Sequence, residues 1–302
     1  PYRRICKRYK GRKEMNRIKV KSSAKINLSL DVTGKLPDGY HTIESVFQTV
    51  GIYDITETEI SEGNDISLEC SDSDIPCNER NIAYRAVLLF KELCGFDFGC
   101  KIKIEKNIPS QAGMGGGSSD GACIFYSLNK LLNTGFTIDD MLPYAEKLGA
   151  DVPFFLMGGT AYVQGKGEKL HPLNDFSGNI MLIAKGSAGI STPEAYRNID
   201  KLENPVHPDT QKLLKCINSG DKNAFRYYGN IFEQAVKNDD IDTIKSVMMN
   251  NNALCSVMTG SGSAVFGQFS DMDSASKCRN ILKDRGFYAE VCKTEKNSFI
   301  DI

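Results

Sequence analysis

Pro109-Ser-Gln-Ala-Gly-Met-Gly-Gly-Gly-Ser-Ser-Asp-Gly-Ala122 is the stretch on which the reading of this chain turns. It leads from an alternating strand, Lys101 to Glu105, into an apolar helix expected over Ser118 to Leu132. Gly113, Gly115, Gly116 and Gly117 carry no Cβ, so the backbone can approach a ligand closely with its amides turned inward. The helix start behind them adds free N–H groups and the positive end of its dipole, and Ser118 and Ser119 add hydroxyls. Together these residues make an anion cradle of the size and polarity of a phosphate chain. The loop lacks the lysine of a Walker A motif. A dinucleotide G-x-G-x-x-G fails as well, because Ser118 or Asp120 stands where its third glycine belongs. Without a ligand, the same residues would read as a flexible turn with serines capping a helix.

Outward from the loop, the pattern is α+β. Residues 17 to 32 alternate as a strand, Pro37-Asp38-Gly39 marks a turn, and Thr42 to Ile60 is again extended. Asn81 to Cys94 has apolar residues at helical spacing, and a second helix over Ile138 to Leu148 opens on Thr137 with Asp140 three residues on. Gly149 to about Lys185 is glycine-punctuated and strand-like, with an apolar strand at Ile180 to Ala184. Helical patterns return from Thr192 to about Asn251. Strands near Val257, at Ala264 to Phe269 and at Tyr288 to Cys292, with a helix over Asp271 to Asp284, then suggest half of a split β-α-β sandwich. The expected division is a basic leader at 1–14, an N-terminal domain at 15–170 and a C-terminal domain at 171–302.

The 302 residues suffice for two domains, with 41% hydrophobic and 25% charged residues, the usage of ordinary globular proteins. Disorder and a disulfide-stapled miniprotein are thereby excluded. The net charge of −1 speaks against a broad nucleic-acid surface. Arg3, Arg4, Lys7, Arg8, Lys10, Arg12 and Lys13 face only Glu14 in a basic arm read as a leader upstream of a fold beginning near Met15, the rival being an RNA-binding arm. No run of about 18 apolar residues and no secretory apolar stretch occurs, so a cytoplasmic protein is expected, with no membrane and no nucleic-acid partner. Ten cysteines without a C-x-x-C pair and three scattered histidines show no zinc spacing, and no metal ligands are assigned.

The loop resembles the central phosphate motif of the GHMP kinases, P-x-x-x-G-L-G-S-S-A-A, with Met114 in place of Leu, one added glycine, and Asp120 where Asn is frequent. Ser23-Ala-Lys-Ile-Asn-Leu28, Asp38-Gly-Tyr-His-Thr42 and Gly149-Ala-Asp-Val-Pro-Phe-Phe155 resemble further blocks of that family, and Met258-Thr-Gly-Ser-Gly-Ser-Ala264 its third, glycine-rich motif. The resemblance spans about residues 17 to 292. It implies an α+β, two-domain GHMP kinase fold, with an N-terminal domain like ribosomal protein S5 domain 2 and a C-terminal ferredoxin-like α/β sandwich. It also implies ATP with Mg²⁺ and a small-molecule alcohol as acceptor.

Several site residues follow from the resemblance. Pro109, Gly113, Met114, Gly115, Gly116, Gly117, Ser118, Ser119 and Asn81 would hold ATP. Lys25 and Asp151 would act on the acceptor hydroxyl, although on their own they read as a solvated strand residue and a helix N-cap. The blocks fit best those members that act on cytidine diphosphate-methylerythritol. Tyr40 would stack on the base with Tyr196 opposite, where Phe is frequent, and His41 would meet the base edge. Asn27, Thr192 and Lys166 of the Gly165-Lys166-Gly167 turn are further substrate-side candidates. Rival acceptors are homoserine, mevalonate or a sugar, and a silent nucleotide sensor is a rival of another class. A monomer or weak homodimer is expected.

Overall fold

The computed structural model describes residues 16–302, so the basic leader assigned to 1–14 lies outside the described residues. The strands are β1 (Arg17–Lys35), β2 (His41–Ser61), β3 (Ile66–Cys70), β4 (Gly99–Glu105), β5 (Thr160–Gly165), β6 (Lys169–Pro172), β7 (Ile180–Lys185), β8 (Gly229–Asn230), β9 (Cys255–Met258), β10 (Val265–Phe269), β11 (Tyr288–Lys293) and β12 (Phe299–Asp301). The α-helices are α1 (Ile82–Cys94), α2 (Gly116–Leu131), α3 (Ile138–Leu148), α4 (Val152–Met157), α5 (Thr192–Ile199), α6 (Thr210–Ser219), α7 (Asp239–Asn250) and α8 (Met272–Asp284). No helix among the described residues is long and apolar enough to cross a membrane.

β1 and β2 form a long antiparallel pair at the centre of an eight-stranded sheet, ordered β12-β1-β2-β4-β3 with β5, β6 and β8 attached at the side. Helices α1 to α4 cover one face of it, and Phe90, Phe125, Phe154 and Phe155 fill the space between. The second sheet has the order β11-β7-β10-β9, all antiparallel, and α7 and α8 pack on it through Ile244, Met248, Cys278 and Leu282. That order and the β-α-β tail make the second half a ferredoxin-like sandwich. A third cluster joins the halves, with Ala24, Ile26, Leu28 and Met114 from one side and Met181, Ile183 and Phe266 from the other.

Local chemistry accounts for most boundaries. Asn81 caps α1 by accepting the Ala83 N–H at 2.9 Å, and Gly95 ends it with φ 73°. Thr137 and Asp140 form the reciprocal capping box expected for α3.

Three regions differ from the pattern-based expectation. The strand-like reading of 149–185 overlooked α4, whose six residues are too few to show a period and whose Pro153 is tolerated in a first turn. The helical reading of 192–251 is interrupted by 3-10 turns at Lys222–Tyr227 and Ile231–Gln234 and by β8, which adds to β1. The strands β3 and β12 are short, and β12 pairs with β1 across almost the whole length of the chain. The first sheet thus crosses the division expected at residue 170, taking β8 and β12 from the second half of the chain.

Candidate active site

β1 carries the first part of the site. Its pairing with β2 shifts register between Ser23 and Ala24 and again between Asn27 and Ser29, so the strand bulges where Lys25 and Asn27 share one face. The opposite face, with Ala24, Ile26 and Leu28, is buried between the domains. The Lys25 backbone N–H donates to the Met114 carbonyl at 3.0 Å, which ties this strand to the glycine loop.

The glycine loop is a strand-to-helix connection, with Gly113 and Gly115 in left-handed conformation at φ 73° and 71°. A Cβ on Gly113 would lie 2.5 Å from the Thr259 carbonyl, and one on Gly260 would lie 2.8 Å from Gly113 Cα. The central and third motifs, one from each half of the chain, thus touch backbone to backbone. Only residues without side chains permit that approach.

Two cavities meet at this loop. The larger, about 430 Å³, is lined by Pro109, Gly113 to Ser118 and Asn81, together with Lys106 and Asp120. The smaller, about 230 Å³, is lined by Lys25, Asn27, Asp151, Lys166, Thr192 and Tyr196. Gly113 and Gly115 belong to both walls. Most of the residues singled out from the sequence are therefore gathered around one partition.

Lys25 Nζ lies 3.8 Å from Asp151 Oδ2 and donates to Asn27 Oδ1 at 2.8 Å. Its ammonium also stands 4.6 Å from the centre of the Phe47 ring. Burial lowers the Lys25 pKa, and Asp151 offsets this only in part. Asp151 stands at the N-cap position of α4 but makes no capping bond with its side chain, which leaves the carboxylate to the cavity. Asn27 is at the centre of a network. Its Oδ1 accepts from Lys25, from Thr259 Oγ1 at 3.1 Å and from the Gly260 N–H at 3.0 Å, while its Nδ2 donates to Ser45 Oγ at 3.0 Å.

Other expected residues have different surroundings. The Ser119 hydroxyl is buried and donates to the Ser23 carbonyl at 2.7 Å, so it braces α2 against β1 and leaves Ser118 as the hydroxyl on the cavity wall. Met114 lines the loop through its backbone while its side chain fills the interdomain core. The Asn81 amide is committed to Ala83 and to the Pro76 carbonyl, which it reaches at 2.8 Å.

Beside the smaller cavity, His41 stacks on Tyr196 with centroids 4.7 Å apart and 22° between planes, and bonds Asp200 at 2.7 Å. Tyr40 stands at the rim, 64% exposed, with Lys166 Nζ 4.6 Å from its ring centre and bound to Asp38 at 2.5 Å. Thr192 shares a hydrogen bond with Ser261 at 2.8 Å. Tyr196 thus faces His41 here, and Tyr40 is the open aromatic face.

Sequence reasoning missed Lys106, Asp54, Phe47 and Thr259. Lys106 Nζ is bound by Asp54 and, at 2.7 Å, by Asp120 Oδ2. Its signal was available, because Cys100, Ile102 and Ile104 are the inward face of β4 and Lys106 continues that face. Asp54 likewise continues the inward run of Val50 and Ile52 on β2.

Comparison with known proteins agrees with this architecture. The GHMP kinases N terminal domain matches residues 81–159, and the GHMP kinases C terminal domain matches residues 211–287. A 4-diphosphocytidyl-2-C-methyl-D-erythritol kinase of Clostridium botulinum (strain Alaska E43, type E3) is 40% identical over 272 residues, 88% of this chain and 96% of its own. The enzyme of that name from Clostridium tetani is 38% identical, over 92% of this chain and 100% of its own. A crystal structure of 4-(cytidine 5'-diphospho)-2C-methyl-D-erythritol kinase superimposes with a TM-score of 0.77 at 30% identity, covering 92% of this chain and 99% of that one. The fold and the paired glycine motifs are those of a GHMP kinase. Within that class, the chain belongs to the family of 4-diphosphocytidyl-2-C-methyl-D-erythritol kinases.

Proposed function

We propose that this chain transfers the γ-phosphoryl group of ATP to the 2-hydroxyl of 4-diphosphocytidyl-2-C-methyl-D-erythritol, giving the 2-phosphate and ADP in the non-mevalonate route to isoprenoid precursors. The observation that carries the reading is the partition: Gly113 and Gly115 stand between a cleft roomy enough for a nucleotide and a smaller cavity holding the Lys25–Asp151 couple. In-line transfer needs the acceptor oxygen and the leaving oxygen on opposite sides of the migrating phosphorus, and two cavities that share Gly113 and Gly115 bring donor and acceptor to one point.

In this reading the amides of residues 113 to 118 hold the polyphosphate, with Ser118 as hydroxyl donor and Asn81 and Pro109 on the cleft wall. Asp151 orients the acceptor hydroxyl and receives its proton at a carboxylate oxygen. Lys25 holds Asp151 ionised and balances the charge that spreads over the migrating group. Asn27 keeps Lys25 aimed, and Tyr40, His41, Tyr196, Thr192 and Lys166 form the acceptor side, with Tyr40 as stacking face for the base. Mg²⁺ would accompany ATP and would supply charge screening on the phosphates. The donor set fits an ion carried by phosphate and water, because no group of three metal-ligating side chains is gathered among the described residues.

We further assign residues 15–170 and 171–302 to the two domains, and take the protein to be a cytoplasmic monomer or weak homodimer without nucleic-acid or membrane partners. A coupled ADP-release assay across candidate alcohols tests the acceptor. The cytidyl substrate should be turned over, and turnover of homoserine, mevalonate or a sugar in its place would overturn the assignment.

A further inference from the structure

Behind the glycine loop lies a charged cluster that the reading above leaves without a task. Lys106, Asp54 and Asp120 have side chains 7%, 0% and 6% exposed and come from the residue just after β4, from β2 and from α2. Asp54 is fixed, since its Oδ1 accepts the N–H groups of Asn107 and Ile108 at 2.6 and 2.8 Å. Asp120 is held more loosely. Beyond Lys106 its partner is the Ser22 hydroxyl at 3.4 Å.

Two carboxylates around one ammonium leave a net negative charge in a poorly solvated place, where charges interact far more strongly than in water. That charge borders the nucleotide cleft. Lys106 and Asp120 line it with Gly116 and Ser118, and a Cβ on Gly116 would lie 3.3 Å from Lys106 Nζ. A polyphosphate entering the cleft meets repulsion from the cluster unless the cluster loses its negative charge.

We propose that Lys106 is a phosphate ligand held in reserve by Asp54 and Asp120, and that on nucleotide binding it keeps Asp54, exchanges Asp120 for a phosphate oxygen, and Asp120 takes up one proton from solvent. The inference rests on the larger cleft being the ATP site. The electrostatics of the cluster agree with it. Burial, and then the neighbouring Asp54, raise the Asp120 carboxyl to about 7. The two carboxylates raise Lys106 despite its burial. The other titratable groups facing the cluster are Cys123 on α2, Cys70 on β3 and Tyr288 on β11, and burial raises all three. Asp120 is thus the carboxyl of the cluster that burial and the neighbouring Asp54 push up toward neutrality.

Calorimetric titration of the full chain with MgADP at about pH 8, in two buffers of different ionisation enthalpy, tests this. The nucleotide phosphates are already ionised there, so uptake reports the protein. The wild-type chain should take up as much as about one proton per nucleotide, and its affinity should weaken about tenfold from pH 7 to pH 9. Asp120→Asn should bind without that uptake and with a flat pH dependence, and Lys106→Met added to Asp120→Asn should weaken binding about tenfold or more. Nucleotide bound by the wild-type chain without uptake, uptake unchanged in Asp120→Asn, or undiminished binding in the double variant would each overturn the inference. Failure of the wild-type chain to bind any nucleotide would instead remove the ATP-site reading and the inference with it.

Discussion

Lys25 brings its ammonium into a cavity walled by Phe47 and the glycine loop, where burial disfavours the charged form. A lysine placed for stability would sit where its folded-state pKa is not lowered, so removing this one should leave the fold intact and abolish chemistry. Lys25→Met is expected to keep or raise the thermal midpoint while turnover falls by about 10²–10³ or more, read by calorimetry and ADP release on one preparation. Asp151→Asn should lose turnover similarly and retain nucleotide affinity, because its carboxylate lies in the smaller cavity alone. Asp120 supplies the pH prediction. Its folded carboxyl titrates near 7 against an ordinary 3.8, so the fold favours the protonated form. The stabilisation is full below the unfolded value and is lost as pH rises through the folded one. Thermal midpoints measured from about pH 4 to pH 8 should fall for the wild-type chain relative to Asp120→Asn, with the gap levelling off above about 7.

At the level of elements, the candidate active site depends on two glycine turns meeting without side chains. Gly260→Ala puts a methyl 2.8 Å from Gly113 Cα and a Cβ on a residue at φ 59°. The conformation alone costs about 1–3 kcal/mol, and the clash would force the loops apart. A lowered midpoint together with a raised KM for ATP is expected, whereas Gly39→Ala, which meets no atom within 4 Å, should affect only its own turn. These elements also show what was legible in advance. The cradle, the Thr137 cap and the β-β-α-β tail were readable, because glycine density, capping pairs and alternation are local signals. The contact between Gly113 and Gly260, the commitment of Ser119 to Ser23 and the stacking of His41 on Tyr196 were not, because each joins residues far apart in sequence. Lys106 was readable in principle, as the next residue on the inward face of Cys100, Ile102 and Ile104, but it stands beside the exposed lysines at 101 and 103 and shares their residue type.

For the whole molecule, the strand that carries Lys25 is braced from both ends of the chain. β1 carries Lys25 and Asn27, yet its outer edge is paired by β12, and the Ser23 N–H donates to the Ser298 carbonyl at 2.8 Å. Phe299 lies against Tyr126, and Asp301 binds Lys130 at 2.5 Å. Truncation before Phe299 should therefore lower the midpoint by several degrees and reduce turnover, although no removed residue lines either cavity. Turnover unchanged by that truncation would show that β1 holds its shape without its edge partner. The central claim concerns phosphoryl transfer across the glycine partition to one hydroxyl. Its most direct test is to incubate the chain with MgATP and 4-diphosphocytidyl-2-C-methyl-D-erythritol and locate the new phosphate by phosphorus and proton NMR. One phosphate on the 2-oxygen for each ADP formed, absent with Asp151→Asn, is the predicted result. ATP consumed with the cytidyl alcohol unmodified, or phosphate on a different oxygen, would contradict the account.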